Sequence, residues 1–151
     1  MSTHWKGPKD QVRALDVYIK LMRSADTIVS LLQRALAKHN LTMSQFGALD
    51  ALHHLGPLTS SNLAKKILRS GGNVTTVCDN LEERGLVVRE RSLADRRVVT
   101  LHLTDAGREL VLAVLPDHVA EITSIVAALT PAEQEMLAAL TKKLGVAAAS
   151  R

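Results

Sequence analysis

Residues 70–103 read SGGNVTTVCDNLEERGLVVRERSLADRRVVTLHL and change their periodicity twice. Ser70-Gly71-Gly72 breaks any helix and supplies a turn. Val74, Val77, Cys78 and Leu81 then follow the i, i+3, i+4, i+7 rule, which lines them along one face of a helix ending at Gly85. Asn73, Thr75, Thr76, Asp79 and Asn80 are left to look outward, a set that is short and polar. Residues 86–91 and 98–103 are rich in β-branched side chains and bracket the charged loop Ser92-Leu93-Ala94-Asp95-Arg96-Arg97, the signature of an antiparallel hairpin. A polar helix followed by a basic-tipped hairpin is the layout of a winged helix-turn-helix, whose helix can enter a DNA major groove while the hairpin reaches the flanking backbone.

Working outward, Thr59 heads a short third helix containing Leu63, Ala64, Ile67 and Leu68. Thr42 and Gln45 have capping-box spacing, so a second helix starts there, stops before Gly56-Pro57, and buries Phe46, Leu49 and Leu52, with His53 a further candidate. Leu15, Ile19, Met22, Ile28 or Val29, Leu32 and Leu36 recur every three or four residues and predict one long first helix over 10–39. Downstream, Thr104 opens a long helix carrying Leu110, Val111, Val114, His118, Ile122 and Ile125, kinked where Pro116 deletes a backbone donor. Thr130-Pro131-Ala132-Glu133 supplies a cap, a proline at the first helical position and a Glu at the third, so a last helix starts there and ends near Gly145.

The expected architecture is mainly α with a small β-hairpin: a winged helix-turn-helix lobe over 41–103 flanked by N- and C-terminal helices, 10–39 and 105–145, in one subunit of 151 residues. The flanking helices are too long and too apolar for so small a lobe to cover. A two-fold homodimer is the commonest solution, and the rival is a monomer whose helices wrap its own core.

Composition narrows the function. A hydrophobic content of 46% builds a core without disulfides, and an aromatic content of 2% leaves almost nothing for a base-stacking platform, which argues against single-stranded nucleic acid. The net charge of +4 is modest, but residues 65–97 hold eight basic and five acidic side chains against four and six from 98 onward. The basic excess coincides with the helix and hairpin. Cys78 is the single cysteine, which fits a reducing compartment, and the N-terminal residues lack the apolar run of a signal peptide, so the cytoplasm is the expected location with no membrane involved. The six histidines show no zinc spacing, and no cofactor or metal is implied.

The chemistry of DNA binding assigns roles to named residues. Asn73, Thr75, Thr76 and Asn80 are short enough to let a helix approach base edges and still hydrogen-bond there, and one good bidentate contact discriminates by about 1–3 kcal/mol. Ser70, Gly72 and Asn73, at the helix start, suit a phosphate. Adjacent Arg96 and Arg97 point different ways, so one can meet phosphate while the other enters a narrow minor groove. Asp95 would hold an arginine in place through a charge-assisted hydrogen bond. Arg89 and Arg91 share a strand face and could add phosphate contacts, whereas Arg84 is expected to pair with an acidic neighbour.

The run Leu81-Glu82-Glu83-Arg84-Gly85-Leu86-Val87, then Asp95-Arg96-Arg97 and Leu103-Thr104-Asp105-Ala106-Gly107, resembles the multiple antibiotic resistance regulator (MarR) family of bacterial transcription factors. Leu41-Thr42-Met43-Ser44-Gln45-Phe46 and Leu63-Ala64 fall where that family has its second and third helices. The resemblance implies a homodimer, often a repressor, that binds a pseudo-palindromic operator in double-stranded DNA and releases it when a small molecule or oxidant arrives. It makes Arg97 the minor-groove candidate. Ser70-Gly71-Gly72-Asn73-Val74-Thr75 resembles a subgroup that includes sensors of quinones and other aromatic compounds. The effector crevice would lie between the dimer helices and the lobe, with Tyr18, Met22, Phe46 and His118 as candidate contacts.

Two alternatives stand beside this reading. Oxidation of Cys78 could disturb the polar helix, although its phase with Val77 and Leu81 points to a buried thiol and no partner cysteine exists in the chain. A winged helix could also bind protein, but such a wing needs fewer arginines. No phosphate loop or nucleophile-base set supports an enzyme.

Overall fold

The computed structural model describes residues 3–67 and 74–151. In chain order the described elements are α1 (Lys9–Ala37), α2 (Met43–Leu55), β1 (Leu58–Thr59), α3 (Ser60–Lys66), α4 (Val74–Glu83), β2 (Val87–Arg91), β3 (Val99–Leu103), α5 (Asp105–Val126) and α6 (Pro131–Ala149). They fall into two compact units, residues 1–118 and 119–151.

Local chemistry sets the boundaries. Helix α1 ends in a Schellman motif: Asn40 takes a left-handed φ of 55°, Leu41 N–H donates to Leu36 O at 3.2 Å and Asn40 N–H to Ala37 O at 3.0 Å. Gly85 repeats the device after α4, with φ 71° and Leu86 N–H donating to Leu81 O at 2.9 Å. Among the described residues Arg84 pairs with no acidic neighbour; its Nη1 donates to Asn40 O at 2.8 Å and ties the two helix ends together. The Thr42 capping box is formed in both directions, at 3.1 Å from Gln45 N–H to Thr42 Oγ1 and 3.0 Å from Thr42 N–H to Gln45 Oε1. Thr59 caps α3 by accepting from Asn62 N–H at 3.3 Å.

The hairpin belongs to a larger sheet than the sequence pattern implies. Strand β1 joins it, giving the order β1-β3-β2 with all neighbours antiparallel and Arg89 opposite Leu101. Two residues are too few to carry a period, so β1 leaves no alternation to read.

Leu49, Leu63, Leu81, Val87, Leu101 and Val111 are fully buried, so α2, α3, α4, the sheet and the first half of α5 share one core. Each such side chain contributes about 1.5–3 kcal/mol by leaving water. Thr104 fastens α5 to this core: its hydroxyl donates to Gly85 O at 2.7 Å and accepts from Gly107 N–H at 3.1 Å. At Gly107 a Cβ would collide with the Leu86 carbonyl oxygen, so only glycine permits the approach. Pro116 lies inside α5, which continues to Val126.

In the second unit, Thr130 and Glu133 form a capping box, and Gln134 Nε2 donates to Val126 O at 3.3 Å and Leu129 O at 2.9 Å. Helix α6 runs past Gly145 to Ala149, because its alanine-rich end favours helix and Gly145 alone does not stop it. None of its residues is buried, and Met136, Leu137, Leu140 and Leu144 are exposed. No single described helix is long and apolar enough to cross a membrane.

Candidate nucleic-acid interface

Helix α4 divides as its periodicity predicts. Val77, Cys78 and Leu81 are buried, while Thr75, Thr76, Asp79 and Asn80 are exposed. Ser70, Gly72 and Asn73 lie outside the described residues. Asn80 is also held from the side: Gln45 Nε2, on α2, donates to its Oδ1 at 2.9 Å. A bidentate adenine contact uses both Asn amide atoms, so it would share or release this bond.

The wing tip is built by short polar bonds. Ser92 Oγ accepts from Ala94 N–H and Asp95 N–H, both at 3.2 Å, and Val98 N–H donates to Asp95 O at 2.9 Å. Asp95 grips Arg97 three times: Oδ1 accepts from Arg97 N–H at 3.0 Å and Nε at 3.1 Å, and Oδ2 accepts from Nη2 at 3.2 Å. The Arg97 side chain, followed by its backbone N–H, holds the Asp95 carboxyl below the usual carboxylate range. The side chain of Arg97 is nonetheless 91% exposed, so a planar cation stands fixed in solvent at the tip. Arg96 is exposed beside it, and Arg91 Nη1 donates to Arg96 O at 3.1 Å.

Arg89 sits differently from what its strand position suggests. Its side chain is 25% exposed; Nη1 donates to Glu82 Oε2 at 3.0 Å, and Nη2 pairs with Asp79 and donates to Thr75 O at 3.3 Å. The sequence separations of seven and ten residues gave no hint of this, because the turn at Gly85 folds β2 back along α4. Cys78 is 1% exposed, and burial pushes its thiol above the ordinary value, against the pull of the nearby Arg89 charge. A protonated, covered thiol is a poor nucleophile.

A second feature is a cleft of about 340 Å³ lined along α2 by Met43, Phe46, Asp50, Ala51, His54 and Leu55, and also by Lys66 and His118. The rings of Phe46 and His118 meet with centroids 4.6 Å apart. Burial lowers the His118 pKa below its ordinary value, partly offset by Asp50. Its Nδ1 is buried without a hydrogen-bond partner among the described residues, as is Asp50 Oδ1, which lies 3.1 Å from His54 Nδ1 without hydrogen-bond alignment. Tyr18 and Met22 do not line this cleft; they are exposed on α1. Asp50, His54 and Lys66 escaped the sequence reading because a polar residue on an amphipathic helix looks like ordinary solvent-facing surface.

The sequence model of the MarR family matches residues 41–99, which span α2 to the start of β3. The chain is 33% identical over 134 residues to the HTH-type transcriptional regulator MhqR of Bacillus subtilis, covering 89% of this chain and 92% of that protein. The chain belongs to the MarR family. Among solved structures, the S. aureus MepR–DNA complex has a TM-score of 0.71 at 29% identity, covering 86% of this chain and 96% of that one. Bordetella bronchiseptica BpsR, solved to explain regulation of its DNA binding by 6-hydroxynicotinic acid, has a TM-score of 0.75 at 29% identity, covering 85% and 98%. This MarR-family chain is therefore a winged helix-turn-helix transcriptional regulator and not an enzyme.

Proposed function

We propose that this regulator works as a cytoplasmic homodimer. Each subunit would lay α4 in a major groove and Arg97 in the adjacent minor groove of a pseudo-palindromic operator. In this reading residues 41–103 form the DNA-binding lobe, and 10–39 with 105–145 form the dimerisation helices. The observation that carries it is the pairing of an exposed Thr75, Thr76 and Asn80 face on α4 with an arginine that Asp95 holds extended at the wing tip. Side chains fixed before binding lose less entropy on association. The apolar faces left exposed on α1 and α6 support the dimer, since such stripes are normally covered. Occupying the operator would repress transcription.

The effector we propose is a small aromatic or quinone-like molecule bound in the cleft beside Phe46 and His118. The ring of such a molecule would pack on Phe46 and Met43, with Asp50 and His54 among the polar side chains that line the cleft beside it. Such a ligand releases DNA only by binding the DNA-incompetent arrangement better. BpsR, whose DNA binding responds to a hydroxylated aromatic acid, supports this class.

Replacing Arg97 by Ala tests the interface. Affinity for a duplex selected from random-sequence DNA should fall, and the log-log salt slope should flatten by about 0.9 for each phosphate that the arginine neutralises. Sedimentation should still report two chains. Unchanged binding by a folded Arg97→Ala protein would contradict the reading.

A further inference from the structure

We propose that Arg89 is a positioning residue that clamps the recognition helix α4 to the wing strand β2 and never touches DNA. This rests on the reading of α4 as the recognition helix. Thr75, Asp79 and Glu82 stand at i, i+4 and i+7, one line about two turns long on α4, and the guanidinium of Arg89 engages all three. Only a planar fork with five donors can bridge a carbonyl and two carboxylates in this way. The cluster's formal charge is one positive against two negative, so a phosphate approaching it meets a net negative site. The contrast with Arg97 is plain: one side chain is 25% exposed and turned onto three groups of α4, the other 91% exposed and held by Asp95. Because β2 runs on to the wing tip, the clamp fixes the angle between the two elements that must enter neighbouring grooves together.

The test is fluorescence anisotropy of the full chain with a duplex selected from random-sequence DNA, repeated over a range of KCl. Arg89→Ala should weaken binding by about tenfold or more, the cost of removing charged hydrogen bonds that orient the helix. Its log-log salt slope should equal that of the unaltered protein. Arg89→Lys keeps the charge but cannot span three groups, so it should weaken binding nearly as much. A slope flattened by about 0.9 or more, a Lys variant that binds as well as the parent, or an Ala variant with undiminished affinity would each overturn the clamp. If Arg89→Ala fails to fold by circular dichroism, the cycle of Arg89→Lys with Glu82→Gln decides: the clamp predicts that Glu82→Gln costs affinity only while Arg89 is present, and additive effects refute it. A parent protein that binds no duplex sinks the functional reading itself, whereas normal parent binding with indifferent Arg89 variants sinks the clamp alone.

Discussion

The winged lobe and the last helix use the same amphipathic logic to opposite ends. In the lobe, Leu49, Leu63, Leu81 and Leu101 are completely buried within a single chain. In α6, Leu137, Leu140 and Leu144 follow the same three-or-four spacing, yet each is about half exposed. An apolar stripe covered within the chain builds a fold; one left open needs another surface to cover it. The lobe closes its core with side chains of α1 and α5 from the same chain, and the open stripes on α6 and α1 are the surfaces the proposed dimer would cover.

Core truncation separates the two regions most sharply. Leu81→Ala should cost about 2–5 kcal/mol in urea unfolding followed by circular dichroism, because truncating a fully buried side chain leaves a cavity in the core. Leu140→Ala should leave lobe unfolding unchanged and weaken self-association in sedimentation. Equal destabilisation of the lobe by both would erase the distinction.

Glycine substitutions give a smaller contrast with opposite signs. Gly107→Ala drives a Cβ into the Leu86 backbone and should lower stability by about 1–3 kcal/mol. Gly145→Ala, on α6 where a Cβ meets nothing, should raise helix stability by about 0.5–1 kcal/mol. Thermal melts of the two variants should move in opposite directions.

The smallest effect lies at His118. Its folded pKa is depressed below the unfolded value, so the unfolded chain binds a proton more readily, and stability present above the ordinary histidine range is lost as pH falls through the folded value. Melting midpoints should drop on acidification through that window, and His118→Gln should flatten the drop. A ligand that packs on neutral His118 should likewise bind more weakly in acid.

What could be read from the sequence depended on whether the physics was local. The buried phase of Val77, Cys78 and Leu81, the Thr42 and Thr130 capping boxes and a bond from Asp95 to a neighbouring arginine span only a few residues and were legible, although that the arginine is Arg97 came only from the structure. Strand β1 is too short to show a period. Arg84 reaches Asn40, 44 residues earlier, only through the packing of the two helix ends, and Arg89 reaches Thr75 only after the chain turns at Gly85; no spacing rule anticipates either contact. Asp50 gains its place in the cleft from His118, which is 68 residues further along the chain.

Sedimentation of the purified chain with a selected duplex, across increasing salt, tests DNA binding by a dimer most directly. Two chains should sit on each duplex, with affinity that falls steeply and linearly on logarithmic axes. A single chain per duplex, or no complex even at low ionic strength, would contradict it.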